Sequence, residues 1–127
     1  MFGQYACPAP AVLIVEDEPL IRMAAADTVA DAGVASFEAA DGGEALEMLA
    51  EHPEIALVFT DVNMPGMDGV TLARRASRLR PELGIIVTSG RETIAGPDLP
   101  RGGAFLAKPY AARQLLALIR DKLSLAH

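Results

Sequence analysis

Three short runs of apolar, largely β-branched residues set the strongest limit on the fold: AVLIV at 11–15, IALVFT at 55–60 and GIIVTS at 84–89. They are too short for helices that bury an apolar stripe, and they lack the in–out alternation of a strand with one wet face. Strands covered on both sides fit them, which means a parallel sheet with helices on each face. Two weaker runs, VASFEAA at 34–40 and AFLA at 104–107, bring the predicted strands to five.

Helical signals fill the intervals. Pro19 stands where a first helix begins, Ile21, Ala24, Ala25, Thr28 and Ala32 recur at helical spacing, and Gly33 follows as a left-handed cap. Asp41 and Glu44 form a capping box for a helix through Glu51, with Leu46 and Leu49 inward. Asp68 caps a third helix, ended by Pro81, whose Leu72, Ala76 and Leu79 face the core. A last helix runs from about Ala111 to Ser124, with Leu115, Leu116, Ile119 and Leu123 on one side. Between the fourth and fifth strands, SGRETIAGPDLPRGGA leaves room only for a short or degraded fourth helix. Right-handed crossovers then wind the chain into a doubly wound α/β domain over residues 11–124. Residues 1–10, MFGQYACPAP, show no periodicity and read as a flexible lead, and no effector domain is expected.

Charge and composition exclude several function classes. The 127 residues carry 11 basic and 17 acidic side chains, a formal net charge of −6, which argues against direct binding to nucleic acid. Arg74, Arg75, Arg78 and Arg80 lie on one predicted helix and read as a solvated face. Cys7 has no partner for an intrachain disulfide, which suits a cytoplasmic protein. No apolar run approaches the roughly 18 residues of a membrane span, and the N-terminus lacks the basic start of a signal peptide.

In an open parallel sheet, ligands bind beyond the carboxyl ends of the strands, near the point where strand order reverses. The residues at those ends are Glu16 and Asp17 after the first strand, Asp61 after the third, Thr88 and Ser89 at the fourth, and Lys108 after the fifth. Each alone has an ordinary explanation as a turn residue, a strand-end hydroxyl or a solvated charge. Together they form one constellation on one edge. Crowded carboxylates repel unless a cation lies among them. Hard oxygen ligands of this kind favour Mg²⁺, and a carboxylate beside Mg²⁺ can act as a nucleophile that forms an aspartyl-phosphate. Mg²⁺, Lys108 and the Thr88 hydroxyl would then neutralise the three equatorial phosphoryl oxygens.

VLIVEDEP, FTDVNMPGMDG, IIVTSG and FLAKPY resemble, in order, the four signature regions of the receiver domain of bacterial response regulators. The resemblance covers about residues 11–124 and implies a flavodoxin-like sheet of order 2-1-3-4-5. It also implies a two-component or phosphorelay signalling domain rather than an enzyme acting on a separate substrate. Its chemistry would be Mg²⁺-dependent self-phosphorylation from the phosphohistidine of a histidine kinase or histidine phosphotransfer protein, followed by slow self-dephosphorylation. A downstream protein target would read the result, with neither nucleic acid nor membrane as a direct partner.

Residue by residue, the resemblance makes Asp61 the phosphoacceptor, Asp17 a direct Mg²⁺ ligand, Glu16 a ligand through water and the Asn63 backbone carbonyl a further ligand. Thr88 and Lys108 would hold phosphoryl oxygens. Thr88 and Phe105 would form the conformational switch, although Phe105 is equally well placed as a core aromatic. Asn63 and Gly90 would flank the hydrolytic water and tune the phosphoryl lifetime. Glu16 for the commoner Asp, Tyr110 for the commoner Phe and the shortened helix depart from the family pattern. The segment 90–103 is therefore expected to order or shift on phosphorylation.

Four other readings compete. A phosphatase with a strand-end Asp nucleophile wants a second Asp at position 63, which is Asn63. A flavodoxin-like electron carrier wants a phosphate loop after the first strand, where this chain has the acidic VEDEP. The intact acids, Thr88 and Lys108 argue against a phosphorylation-independent binding module, and a receiver excised from a hybrid histidine kinase remains open.

Overall fold

The computed structural model describes residues 9–90 and 99–124. Strands β1 (Ala11–Val15), β2 (Ala35–Ala39), β3 (Ile55–Asp61), β4 (Gly84–Ser89) and β5 (Ala104–Ala107) alternate with helices α1 (Pro19–Asp31), α2 (Gly42–Glu51) and α3 (Gly69–Leu79), and α4 (Ala112–Ser124) follows β5. The strands form one sheet of order β2-β1-β3-β4-β5, parallel throughout, as the sequence led us to expect. The shortened helix expected between β4 and β5, and its ordering on phosphorylation, fall largely on residues 91–98, outside the described residues. Most of the expected N-terminal lead lies outside them too.

The continuous apolar runs are explained by two separate cores. Leu13 and Val15 of β1 face one side with Val58, Ile85 and Val87, covered by Ala45 and Leu49 of α2 and by Leu72, Ala73 and Ala76 of α3. Val12 and Ile14 face the other side with Leu57, Phe59 and Ile86, covered by Ala25 and Val29 of α1 and by Leu115 and Ile119 of α4. Successive strand residues point to opposite faces, so a strand in the middle of such a sheet must be apolar at every position.

Helix ends follow local chemistry. The Gly33 N–H donates to the Ala30 carbonyl at 2.9 Å and the Val34 N–H to the Val29 carbonyl at 3.2 Å, with Gly33 at φ +79°. This is a Schellman motif, closed by the apolar contact its outer pair makes in the core beneath α1. Asp41 accepts from the Glu44 N–H at 2.8 Å, but the Glu44 carboxylate reaches back to the Ala40 N–H at 2.7 Å, one residue before a standard capping box. Asp68 caps α3 by accepting from the Thr71 N–H at 2.8 Å.

Three helix-face expectations are corrected. Leu79 is 61% exposed, because the buried stripe of α3 ends at Ala76. Ile21 and Ala24 are exposed, because α1 buries only a narrow stripe at Ala25 and Val29. Arg80 is not part of the solvated face formed by Arg74, Arg75 and Arg78. Its guanidinium donates to the carbonyls of His52 at 3.5 Å, Pro53 at 2.9 Å and Ile55, tying the end of α3 to the entry of β3. Charged-group hydrogen bonds of this kind are worth about 1.5–3 kcal/mol, so Arg80→Ala is expected to cost about 2 kcal/mol in urea unfolding. Arg78→Ala serves as the exposed control, and an equal effect from both would show that the tether contributes nothing.

Candidate functional site

The site lies where the strands end. Because β1 and β3 are parallel, with Val15 opposite Thr60, the residues that follow Val15 emerge beside Asp61. Glu16, Asp17 and Asp61 each offer a carboxylate oxygen, and these three oxygens lie within 4.8 Å of one another. Glu16 and Asp61 are buried and Asp17 is exposed. Glu18, also exposed, contributes its backbone N–H, which donates to Glu16 Oε2 at 3.1 Å.

Lys108 arrives from the end of β5. Its backbone N–H donates to the Ser89 carbonyl at 3.0 Å, and its Nζ lies 3.4 Å from Glu16 Oε1 and 3.5 Å from Asp61 Oδ2. Burial holds the Glu16 carboxyl above its ordinary range. The Glu18 N–H opposes the rise, Asp17 and Asp61 add to it, and Lys108 opposes it. Tyr110, packed edge-on against Phe59 at 5.9 Å, has its phenol raised by burial and then by the Glu16 and Asp61 charges.

The remaining predicted residues surround this cluster. Thr88 pairs with Asp61 in the β3–β4 register, but its hydroxyl donates to the Leu106 carbonyl at 2.6 Å, so it is turned toward β5. Phe105 stands opposite Val87 and packs, half-buried, against the core beneath α2 and α3. The Asn63 N–H reaches Asp61 Oδ1 at 3.4 Å and its side-chain amide reaches Ser89 Oγ at 3.4 Å. Gly90 is exposed, and a Cβ there would lie 3.6 Å from the Lys108 Cβ. Glu16, Asp17, Asp61, Asn63 and Lys108 thus come together, while Thr88 adjoins them with its hydroxyl engaged elsewhere and Phe105 lies in the core face.

Two contributors escaped the sequence reading. Gly69 lets α3 start against the Asp61 backbone, since a Cβ there would fall 2.1 Å from the Asp61 carbonyl oxygen. Arg22 donates to the Glu16 carbonyl at 2.8 Å. A glycine at a helix start carries no local signal of close approach, and Arg22 reads as an ordinary exposed helix residue.

Three carboxylates and one ammonium in a half-buried site make a hard, electronegative oxygen cluster whose donors fit a divalent cation. Lys108 should matter most when no metal is present. Removing it raises the Glu16 pKa further, so above the unfolded value of 4.5 the native state retains a proton that the unfolded chain releases. The unfolded state then binds fewer protons, and stability falls as pH rises through the raised native value. In metal-free buffer, Lys108→Met is therefore expected to lose more stability at pH 7 than at pH 5. Equal losses at both values in urea unfolding would contradict this.

Comparison with known proteins agrees with this fold. The family profile described as the response regulator receiver domain matches residues 12–120. The sensor kinase CckA of Brucella abortus (strain 2308) is 38% identical over 116 residues, which are 88% of this chain and 12% of that protein. The response regulator receiver protein CpdR of the same strain is 35% identical over 115 residues, 88% of this chain and 95% of that protein. The crystal structure of the receiver domain from hybrid histidine kinase CckA matches with a TM-score of 0.76 and 36% identity, covering 89% of this chain and 98% of that one. Among the described residues, no helix is long and apolar enough to cross a membrane. With four strand-end groups meeting on a 2-1-3-4-5 sheet, and with a family match spanning most of its length, the chain belongs to the response-regulator receiver domains of two-component signalling.

Proposed function

We propose that Asp61 accepts a phosphoryl group from the phosphohistidine of a histidine kinase or histidine phosphotransfer protein, with Mg²⁺ held at the acidic cluster. The observation that carries this reading is the meeting of Glu16, Asp17 and Asp61 within 4.8 Å, with the Lys108 ammonium 3.5 Å from Asp61. The net negative charge there would repel a phosphoryl donor unless a divalent cation offset it. In this reading Asp17 and Asp61 are direct ligands, Glu16 acts through a water, and Asn63 lends its backbone carbonyl. When bound, Mg²⁺ supplies neutralisation of charge on the transferring oxygens.

A carboxylate oxygen of Asp61 attacks phosphorus while the bond from phosphorus to the imidazole nitrogen breaks, and that electron pair leaves with the imidazole. Lys108 holds one phosphoryl oxygen. For Thr88 to hold another, its hydroxyl must give up the Leu106 carbonyl 2.6 Å away. That exchange would free the Leu106 carbonyl of β5, next to Phe105, a route by which the phosphoryl state reaches the surface read by a protein partner. Asn63 and Gly90, beside Asp61 and Lys108, are the positions we assign to tuning phosphoryl lifetime, and residues 11–124 are the unit we assign to this activity.

Incubation with a small phosphodonor such as phosphoramidate should add the mass of one phosphoryl group when Mg²⁺ is present and none in EDTA. Peptide mapping should place the modification on Asp61. No gain in intact mass at saturating Mg²⁺ would overturn the reading.

A further inference from the structure

The Glu16–Asp17 turn is held from one side by the sheet and from the other by the Arg22 side chain. The Glu16 N–H donates to the Ala39 carbonyl at 3.1 Å, but strand pairing stops at Val15 and Asp17 is exposed. On the far side of the peptide unit, Arg22 Nη1 donates to the Glu16 carbonyl at 2.8 Å. The same guanidinium is fixed by Glu38 of β2, whose Oε1 lies 3.3 Å from Arg22 Nε. Arg22 is only 20% exposed, and Glu38 pairs with Ile14 in the β1–β2 register, so both ends of this brace sit on structured chain.

We infer that Arg22 is a positioning residue for metal binding, acting through the main chain of Glu16. The inference rests on the reading of the acidic cluster as a Mg²⁺ site. The Glu16 carbonyl belongs to the planar peptide unit that carries the N–H and Cα of Asp17. Fixing that oxygen fixes the plane and thereby the direction in which Asp17 leaves the sheet. The physical role is orientation rather than charge: the cation that bears on the Glu16 carboxylate is Lys108, and Arg22 bonds the backbone. A planar fork can serve a carbonyl and a carboxylate together, which a single ammonium cannot do in the same geometry. Groups that orient metal ligands from outside the coordination sphere change affinity by about 10–100-fold when removed.

Mg²⁺ titration calorimetry on the metal-free chain tests this, with amide exchange at Glu18 as a second readout. Glu18 reports directly, because its N–H donates to Glu16 Oε2 at 3.1 Å. Arg22→Met, which keeps much of the stem, and Arg22→Lys, which keeps the charge, should each weaken Mg²⁺ binding about tenfold. Both should also speed exchange at the Glu18 amide without metal. Phosphoryl uptake should recover at saturating Mg²⁺, because the defect lies in affinity. If Arg22→Met fails to fold in urea controls, Arg22→Lys carries the test alone. Wild-type Mg²⁺ affinity in both variants, or in Arg22→Lys only, would overturn the positioning role. Absence of Mg²⁺ binding by the wild-type chain would instead overturn the proposed function, and this inference with it.

Discussion

Asp61→Asn is expected to leave the fold intact and to reduce phosphoryl uptake by about a thousandfold or more, to below detection by intact mass. The amide nearly matches the carboxylate in shape, so the packing around β3 is kept. What it lacks is the anionic oxygen that attacks phosphorus. Lys108 loses one of its two carboxylate partners but keeps Glu16 at 3.4 Å, while one of three mutually repelling charges is removed. These effects oppose each other, and the change in stability should stay within about 1 kcal/mol. Uptake that persisted in a folded Asp61→Asn chain would mean that another side chain is the acceptor.

Gly69→Ala should damage both fold and site. A Cβ at position 69 would lie 2.1 Å from the Asp61 carbonyl oxygen, 2.8 Å from its carbonyl carbon and 2.9 Å from the Val62 Cα. All three are backbone atoms with no rotamer to move into. The Gly69 N–H is also bonded to the Val62 carbonyl at 2.9 Å, so α3 cannot retreat without losing that contact. Overpacking of this kind costs about 3 kcal/mol. A shift of about 1 Å in Asp61 would slow phosphorylation roughly a hundredfold. Gly43→Ala is the control: its nearest neighbour would be Asp41 Oδ1 at 3.4 Å, and inside α2 the change should be neutral or stabilise by up to about 1 kcal/mol. Equal behaviour of the two variants in urea unfolding and phosphorylation would remove the steric argument.

Helix faces were the less legible part of the fold. Ile21 and Leu79 satisfy helical spacing yet are exposed, because periodicity marks a candidate face and the neighbouring layer decides how wide a stripe is covered. Arg80 looked like its arginine neighbours because its acceptors are carbonyls more than 20 residues away in the chain. At the site, the acids and Lys108 were legible as strand-end residues. Thr88 was legible as a position, but the direction of its hydroxyl was not, since the Leu106 carbonyl that holds it belongs to the next strand.

Taken alone, the amino-acid sequence determined that three of the five parallel strands, β1, β3 and β4, would be buried inside a doubly wound sheet, because only strands covered on both faces require apolar residues at every position. It also determined which groups stand at the strand ends, since each follows directly on its run. Tertiary structure decided how those groups meet. It brought Lys108 to Glu16 across 92 residues of chain, turned Thr88 toward β5, and set Arg22 against the carbonyl that leads to Asp17. Local patterns cannot encode such contacts, because strand register and the packing of the crossover helices fix them at a distance.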